Sequence, residues 1–240
     1  MSGHSKWATT KRQKAVTDAK KGAIFTKLAN LITLAAKEKG GDPTVNFMLR
    51  MTIEKAKAAN MPKENIERSI KRGTGELAGD AIEELYYEGI GPSRTQFIVK
   101  CLTNNKNRTA AEIRHIFSKN GGSMGAVGWN FGQKGVIRVS EESLGDRDWE
   151  ELEMSLIDTG ADDILKEEEG LIVYTKIADL QKMKEWFDNE KISVEMAQIE
   201  YVPKETQELD DDELVPVERF IEELEDNEDV NDYYHNISNL

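Results

Sequence analysis

Apolar residues at helical spacing organise the first third of the chain. From Ala23 the residues Ile24, Leu28, Leu31, Ile32 and Ala35 recur at i, i+4, i+7, i+8 and i+11, one face of a helix. Lys20, Lys21, Lys27, Lys37 and Lys39 fall largely on the remaining surface. Gly40-Gly41 predicts the stop, and Asp42-Pro43 predicts an N-cap and first position for a second helix, with a core stripe of Val45, Met48, Leu49, Thr52, Ile53 and Ala56. Pro62 opens a third helix carrying Ile66 and Ile70 and ending at Gly73. Residues 1–22 show no sustained apolar period and read as a mobile arm with some helical tendency.

After Gly73–Gly79 the period changes to two. Glu84–Glu88 and Thr95–Leu102 predict strands joined by a turn at Gly89-Ile90-Gly91-Pro92. Asn107 is placed to cap a helix from Arg108 to Lys119, with Ile113, Ile116 and Phe117 inward and Gly121 just past its end. The stretch Gly121–Gly128 reads as a flexible connector. Between 136 and 201 the order is strand (Val136–Val139), helix (Asp148–Asp158), strands (Ile164–Glu167, Leu171–Thr175), helix (Ala178–Asn189) and strand (Ser193–Tyr201). That βαββαβ order is the ferredoxin-like arrangement. An acidic spacer from Glu208 to Glu213, a helix from Val217 to about Leu224 and a final strand within Val230–Ile237 have no partners nearby in sequence. They are expected to return to the 80–131 layer.

The expected fold is thus α+β and multidomain. A basic arm (1–22) leads to a three-helix domain (23–79) and a discontinuous α/β domain (80–133 with 205–240). A ferredoxin-like domain (134–204) is inserted in the latter.

Charge separates these pieces. Residues 1–73 carry 16 Lys/Arg against 6 Asp/Glu, a net of +10; the whole chain is −13, which leaves −23 on residues 74–240. Such asymmetry suggests that one end is built to meet a polyanion. The arm concentrates it in Lys6, Lys11, Arg12, Lys14, Lys20 and Lys21, opposed within the first 22 residues only by Asp18. His4 and Trp7 add flat rings that can stack on bases, and a tryptophan among lysines has no core to enter. The alternative is a solvated tail; nucleic-acid contact is the preferred reading.

Asn104–Thr109 is rich in amides and hydroxyls and carries Lys106 and Arg108. It is either a helix N-terminus offered to a phosphate or an ordinary capped start. Gly121–Gly128 follows a helix and lacks the Lys-Ser/Thr ending of a phosphate loop. The run 208–213 lacks the glycine and spaced ligands of a calcium loop. From Glu205 onward 14 acidic residues face one basic residue, Arg219, which suits a basic protein partner or repels nucleic acid from that side. His4, Cys101 and His115 are too few and scattered for a metal cluster, and no nucleophile elbow is present. No catalytic residue, metal or cofactor is expected. One cysteine and no long apolar run point to a reducing, cytoplasmic setting without a membrane span.

Gly3-His4-Ser5-Lys6-Trp7, Lys20-Lys21-Gly22, Phe25-Thr26-Lys27, Gly40-Gly41-Asp42-Pro43, Asn60-Met61-Pro62, Tyr87–Pro92, Asn105–Thr109 and Lys134–Ile137 together resemble the YebC/PmpR family. The resemblance implies a three-helix domain and two α/β domains, one inserted in the other. It also implies a regulator of gene expression. Members are described as DNA-binding transcriptional regulators, and as translation factors that ease synthesis of proline-rich stretches at the ribosome. The family usually has Asn-Pro where Asn46-Phe47 stands, an aromatic at Ile90, Gly at Ser93 and Asp at Asn104. The expected partners are ribosomal RNA or tRNA on the ribosome, or duplex DNA. The expected contacts are His4, Lys6, Trp7, Lys11, Arg12, Lys14, Lys20, Lys21, Lys27, Lys106 and Arg108. A protein–protein adaptor using the acidic half is a third reading.

Overall fold

A computed structural model describes residues 18–79, 81–167 and 169–240, the side chains of 18–21 excepted. These residues form eight α-helices and two four-stranded antiparallel sheets. They divide into two compact units. One comprises Trp129–Glu208 with Asn236–Leu240; the other contains, of the described residues, 18–128 and Leu209–His235.

The described residues begin with α1 (Asp18–Lys39), α2 (Phe47–Ala58) and α3 (Lys63–Gly73). Strands β1 (Glu83–Ile90) and β2 (Gln96–Thr103), helix α4 (Lys106–Lys119) and the short β3 (Ser123–Met124) follow. Next come β4 (Phe131–Ser140), α5 (Glu141–Leu144), α6 (Trp149–Thr159), β5 (Ala161–Glu167), β6 (Gly170–Thr175), α7 (Leu180–Asn189) and β7 (Met196–Pro203). Helix α8 (Asp211–Asp226) and strand β8 (Val230–His235) complete the order.

In the helical bundle the periodic stripe does what its spacing demands. Leu28, Ile32, Ala35 and Ala36 of α1 meet Leu49, Ile53 and Ala56 of α2, Met61 and Ile66 in one buried cluster. Two expectations fail at the α1–α2 corner. The cap of α2 is Asn46, not Asp42, and Val45 is 79% exposed instead of lying in the core. The reason is local. Asp42 accepts from the Thr44 backbone N–H (2.8 Å) and forms a turn ahead of the helix. The fully buried Asn46 then accepts from Leu49 N (3.1 Å) and donates to the carbonyls of Ala35 and Gly40 (2.8 Å each). One amide thereby serves the start of α2 and the end of α1.

The first sheet has the order β3-β1-β2-β8, and β8 pairs antiparallel with β2. Phe220 of α8 packs edge-on against Phe97 of β2 and Phe117 of α4, with ring centroids 4.9 Å apart in both pairs. Gly89 makes room for this layer, since a Cβ there would lie 2.4 Å from the Phe117 ring. Three further corrections belong here. Asn105, not Asn107, caps α4, accepting from Arg108 N at 3.1 Å. The expected acidic spacer is the start of α8, where Asp210 and Glu213 form a reciprocal capping box (2.9 and 3.2 Å). Carboxylates at a helix N-terminus are favoured by the exposed N–H groups, so this run supports the helix instead of fraying it. The Gly121–Gly128 segment is held, not free: β3 pairs with β1, and the Glu88 carboxylate accepts from Val127 N and Gly128 N at 2.7 Å each.

The second sheet has the order β5-β6-β4-β7, all neighbours antiparallel, which is the ferredoxin-like topology. One face carries Gly135, Ile137 and Val139 of β4 beside Val173 and Leu171 of β6. Gly135 is pressed against Leu180 of α7; a Cβ there would meet Leu180 at 2.9 Å. The other face holds Val136, Ile172 and Tyr174, and a bidentate Arg138–Glu200 pair (2.6 and 3.0 Å), each side chain 5% exposed. The last residues join this unit: Gln207 N donates to Asn236 O (2.7 Å), and Gln207 bridges to Ile237.

Three helices close with the same two backbone bonds and a left-handed residue. After α2 the residue is Asn60 (φ 60°), after α4 Gly121 (φ 75°) and after α7 Lys191 (φ 57°). At α7 Lys191 N donates to Asp188 O and Ile192 N to Phe187 O. Glycine and asparagine suit that position and lysine does not. Lys191→Gly is expected to raise unfolding free energy by about 0.5–1 kcal/mol, checked by urea denaturation; a loss of stability would show that the lysine side chain is needed.

Candidate nucleic-acid interface

His4, Lys6, Trp7, Lys11, Arg12 and Lys14 lie outside the described residues. Lys20 and Lys21 belong to the first turn of α1, so the arm is continuous in sequence with a helix of 22 residues, about 33 Å long at 1.5 Å per residue.

The far end of that helix gathers charge that the sequence reading did not assign to the interface. Gly73, at the end of α3, sits against the last turns of α1: a Cβ there would come within 2.4 Å of Thr33 O and 2.7 Å of Ala36 Cβ. Thr33 Oγ1 ties the same helices by donating to Ser69 O at 3.1 Å. The C-termini of α1 and α3 therefore meet, and each carries two cations in its last turn, Lys37 and Lys39 on one and Lys71 and Arg72 on the other. All four are exposed, and none forms an ion pair among the described residues. Cations at helix C-termini offset the local dipole; two such ends side by side also make a compact cationic patch. A glycine at the end of a basic helix was the one available signal.

Two expected contacts are occupied internally. Lys27 is half-buried and donates to the Glu225 carbonyl at 2.7 Å, capping the end of α8. Burial pushes its ammonium below the ordinary value, with the Glu225 and Asp226 carboxylates opposing that shift. Arg108 gives one nitrogen to both Asp229 oxygens (2.9 and 2.8 Å), and Thr109 donates to the same carboxylate at 2.7 Å. Of the choices at this loop, capping and an internal clamp are what the side chains make; Lys106 is exposed there without such a partner among the described residues. Lys27→Met is therefore expected to lower stability by about 1 kcal/mol and leave nucleic-acid affinity unchanged. Equal stability with weaker binding would return Lys27 to the interface.

Cys101 is fully buried, and burial first, then Asp229, pushes its thiol up to about 12, so it stays protonated at neutral pH. His115 is exposed on α4. Among the described residues no helix is long and apolar enough to cross a membrane.

Residues 5–76 match the TACO1/YebC protein N-terminal domain, and residues 82–237 match the TACO1/YebC second and third domains. The chain belongs to the TACO1/YebC family. A protein of Thermoanaerobacter pseudethanolicus named probable transcriptional regulatory protein is 50% identical over 99% of this chain and 97% of its own length. A Persephonella marina protein with the same name is 45% identical over 98% and 95%. The crystal structure of a conserved hypothetical protein from Aquifex aeolicus superposes with a TM-score of 0.82 at 39% identity, covering 93% of this chain and 92% of that one. The match to the TACO1/YebC N-terminal domain starts within the basic arm and spans all three helices of the bundle, so arm and cationic patch belong to one family domain.

Proposed function

We propose that this TACO1/YebC chain is a nucleic-acid-binding regulator of gene expression that works on the ribosome, easing peptide-bond formation through proline-rich stretches. The observation that carries the binding is the charge segregation: +10 on residues 1–73 against −23 on the remainder. Lys6, Lys11, Arg12, Lys14, Lys20 and Lys21 of the arm release counterions from phosphates, with Lys37, Lys39, Lys71 and Arg72 extending the contact. Trp7 and His4 stack on unpaired bases, which RNA loops and tRNA ends offer and an intact duplex does not. The ribosome supplies the chemistry; the factor supplies contacts and orientation.

The names of the relatives favour a second reading, a transcriptional regulator on duplex DNA. Co-sedimentation with purified ribosomal particles, beside a mobility-shift assay on duplex DNA, separates the two. Salt-sensitive pelleting with ribosomes and weak, sequence-indifferent duplex binding is the expected result. Tight binding to one duplex sequence with no ribosome association would overturn the preferred reading.

A further inference from the structure

We propose that the outer face of α6 and α7, in the ferredoxin-like unit, is a docking groove for a basic amphipathic helix of a partner protein. Between the two helices lies a groove of about 480 Å³, walled by Ser155, Asp158 and Thr159 on one side and by Lys182, Glu185, Trp186 and Asn189 on the other. On α6, outside the groove lining, Met154 lies one turn before Asp158 and is 60% exposed, and Ile157 is 56% exposed. Two large aliphatic side chains on the outside of one short helix, next to a partly open tryptophan, are not needed by the core beneath. That core is already filled by Leu152, Leu156, Met183 and Phe187, all 6% exposed or less.

Charge selects the occupant. Helix α6 carries Glu150, Glu151, Glu153 and Asp158 and no lysine or arginine, and on the facing wall Lys182 is offset by Glu185. Residues 129–208 hold 21 Asp/Glu against 9 Lys/Arg, a net of −12. A nucleic acid would be repelled by this face, and so would the same face of a second copy. A helix with an apolar stripe and flanking lysines or arginines satisfies both features. Its anchors would cover Met154, Ile157 and the Trp186 ring, while its cations meet the surrounding carboxylates. The nucleic-acid contacts proposed above lie on other residues, so this docking stands or falls independently of them.

The test uses the full chain with methyl-labelled methionine and isoleucine. The probe is a synthetic amphipathic Leu/Lys helix of about 18 residues, enough for five turns, with a Leu/Glu helix as comparator. The Leu/Lys helix is expected to shift the Met154 and Ile157 methyl resonances. Met154→Glu and Asp158→Lys, both at exposed positions and checked for unchanged melting, should each weaken its binding about tenfold or more. Equal binding by the Leu/Glu helix, or unchanged affinity in both variants, would overturn the proposal. So would an RNA oligonucleotide that moves the same two methyls, or a dimer of the chain alone that Met154→Glu dissociates.

Discussion

Replacing Lys11, Lys14 and Lys20 together by glutamate is expected to lower affinity for a single-stranded RNA by roughly 10²–10³-fold near 100 mM salt. Six arm cations engaging six phosphates give a slope of log affinity against log salt of about −4 to −5. The triple reversal should flatten that slope by about two units, because the counterion release from three phosphates is gone. Trp7→Ala should behave differently, losing roughly 1–3 kcal/mol of binding with the slope unchanged, since stacking releases no counterions. Thermal stability should be unaltered in both proteins. Affinity and slope that do not move would make the arm a bystander; a large fall in melting temperature for Trp7→Ala would show that the ring serves a core.

Phe220→Ala should cost about 3–5 kcal/mol of stability, the usual range for removing a fully buried aromatic ring. Phe220 is completely buried and is the ring on which Phe97 and Phe117 both rest. It arrives from α8, more than a hundred residues after β2 in the chain, so the loss also measures how far the first sheet depends on the returning C-terminal segment. Urea denaturation followed by far-UV circular dichroism reads it. A loss below about 1 kcal/mol would mean that the layer repacks without that ring.

Periodicity made the elements legible because it reflects burial directly. The α1 stripe and the βαββαβ order needed no tertiary knowledge; the longer strands were misplaced only at their ends, while the short β3 was missed inside the expected connector Gly121–Gly128. What failed were features set by partners distant in sequence or by competing caps. Asp42 looked like the cap of α2 because Pro43 follows it, but Asn46 reaches back to the end of α1, which no local pattern announces. The family residue after Asn46 is usually proline, which suits the first position of a helix; Phe47 holds that position here, with Arg50 over its ring at 5.5 Å. The family glycine at Ser93 has a similar explanation, since the backbone there is left-handed (φ 54°) and serine is strained in it, with its hydroxyl donating to Glu213 O at 3.0 Å. The acidic run at the start of α8 has the charge density of a linker, but its carboxylates cap the helix and face its exposed N–H groups.

The placement of the basic side chains was half legible. Basic composition pointed to the N-terminal region, but composition cannot separate a lysine on the surface from one that caps another helix. Lys27 and Arg108 were claimed by α8 and by Asp229, partners about 200 and 120 residues away. The patch of Lys37, Lys39, Lys71 and Arg72 was invisible because two helix ends converge only through the missing side chain of Gly73.

The central claim is that the basic end holds the factor on the ribosome so that it speeds difficult peptide bonds. A purified translation system, given preformed messages with and without a run of proline codons, tests it most directly. Proline is a constrained acceptor whose fixed φ limits how it aligns. The account predicts faster synthesis through the proline run, little change on the control message, and loss of the gain in the protein with Lys11, Lys14 and Lys20 changed to glutamate. Equal rates on both messages with and without the protein, alongside tight binding to one duplex DNA sequence, would contradict it.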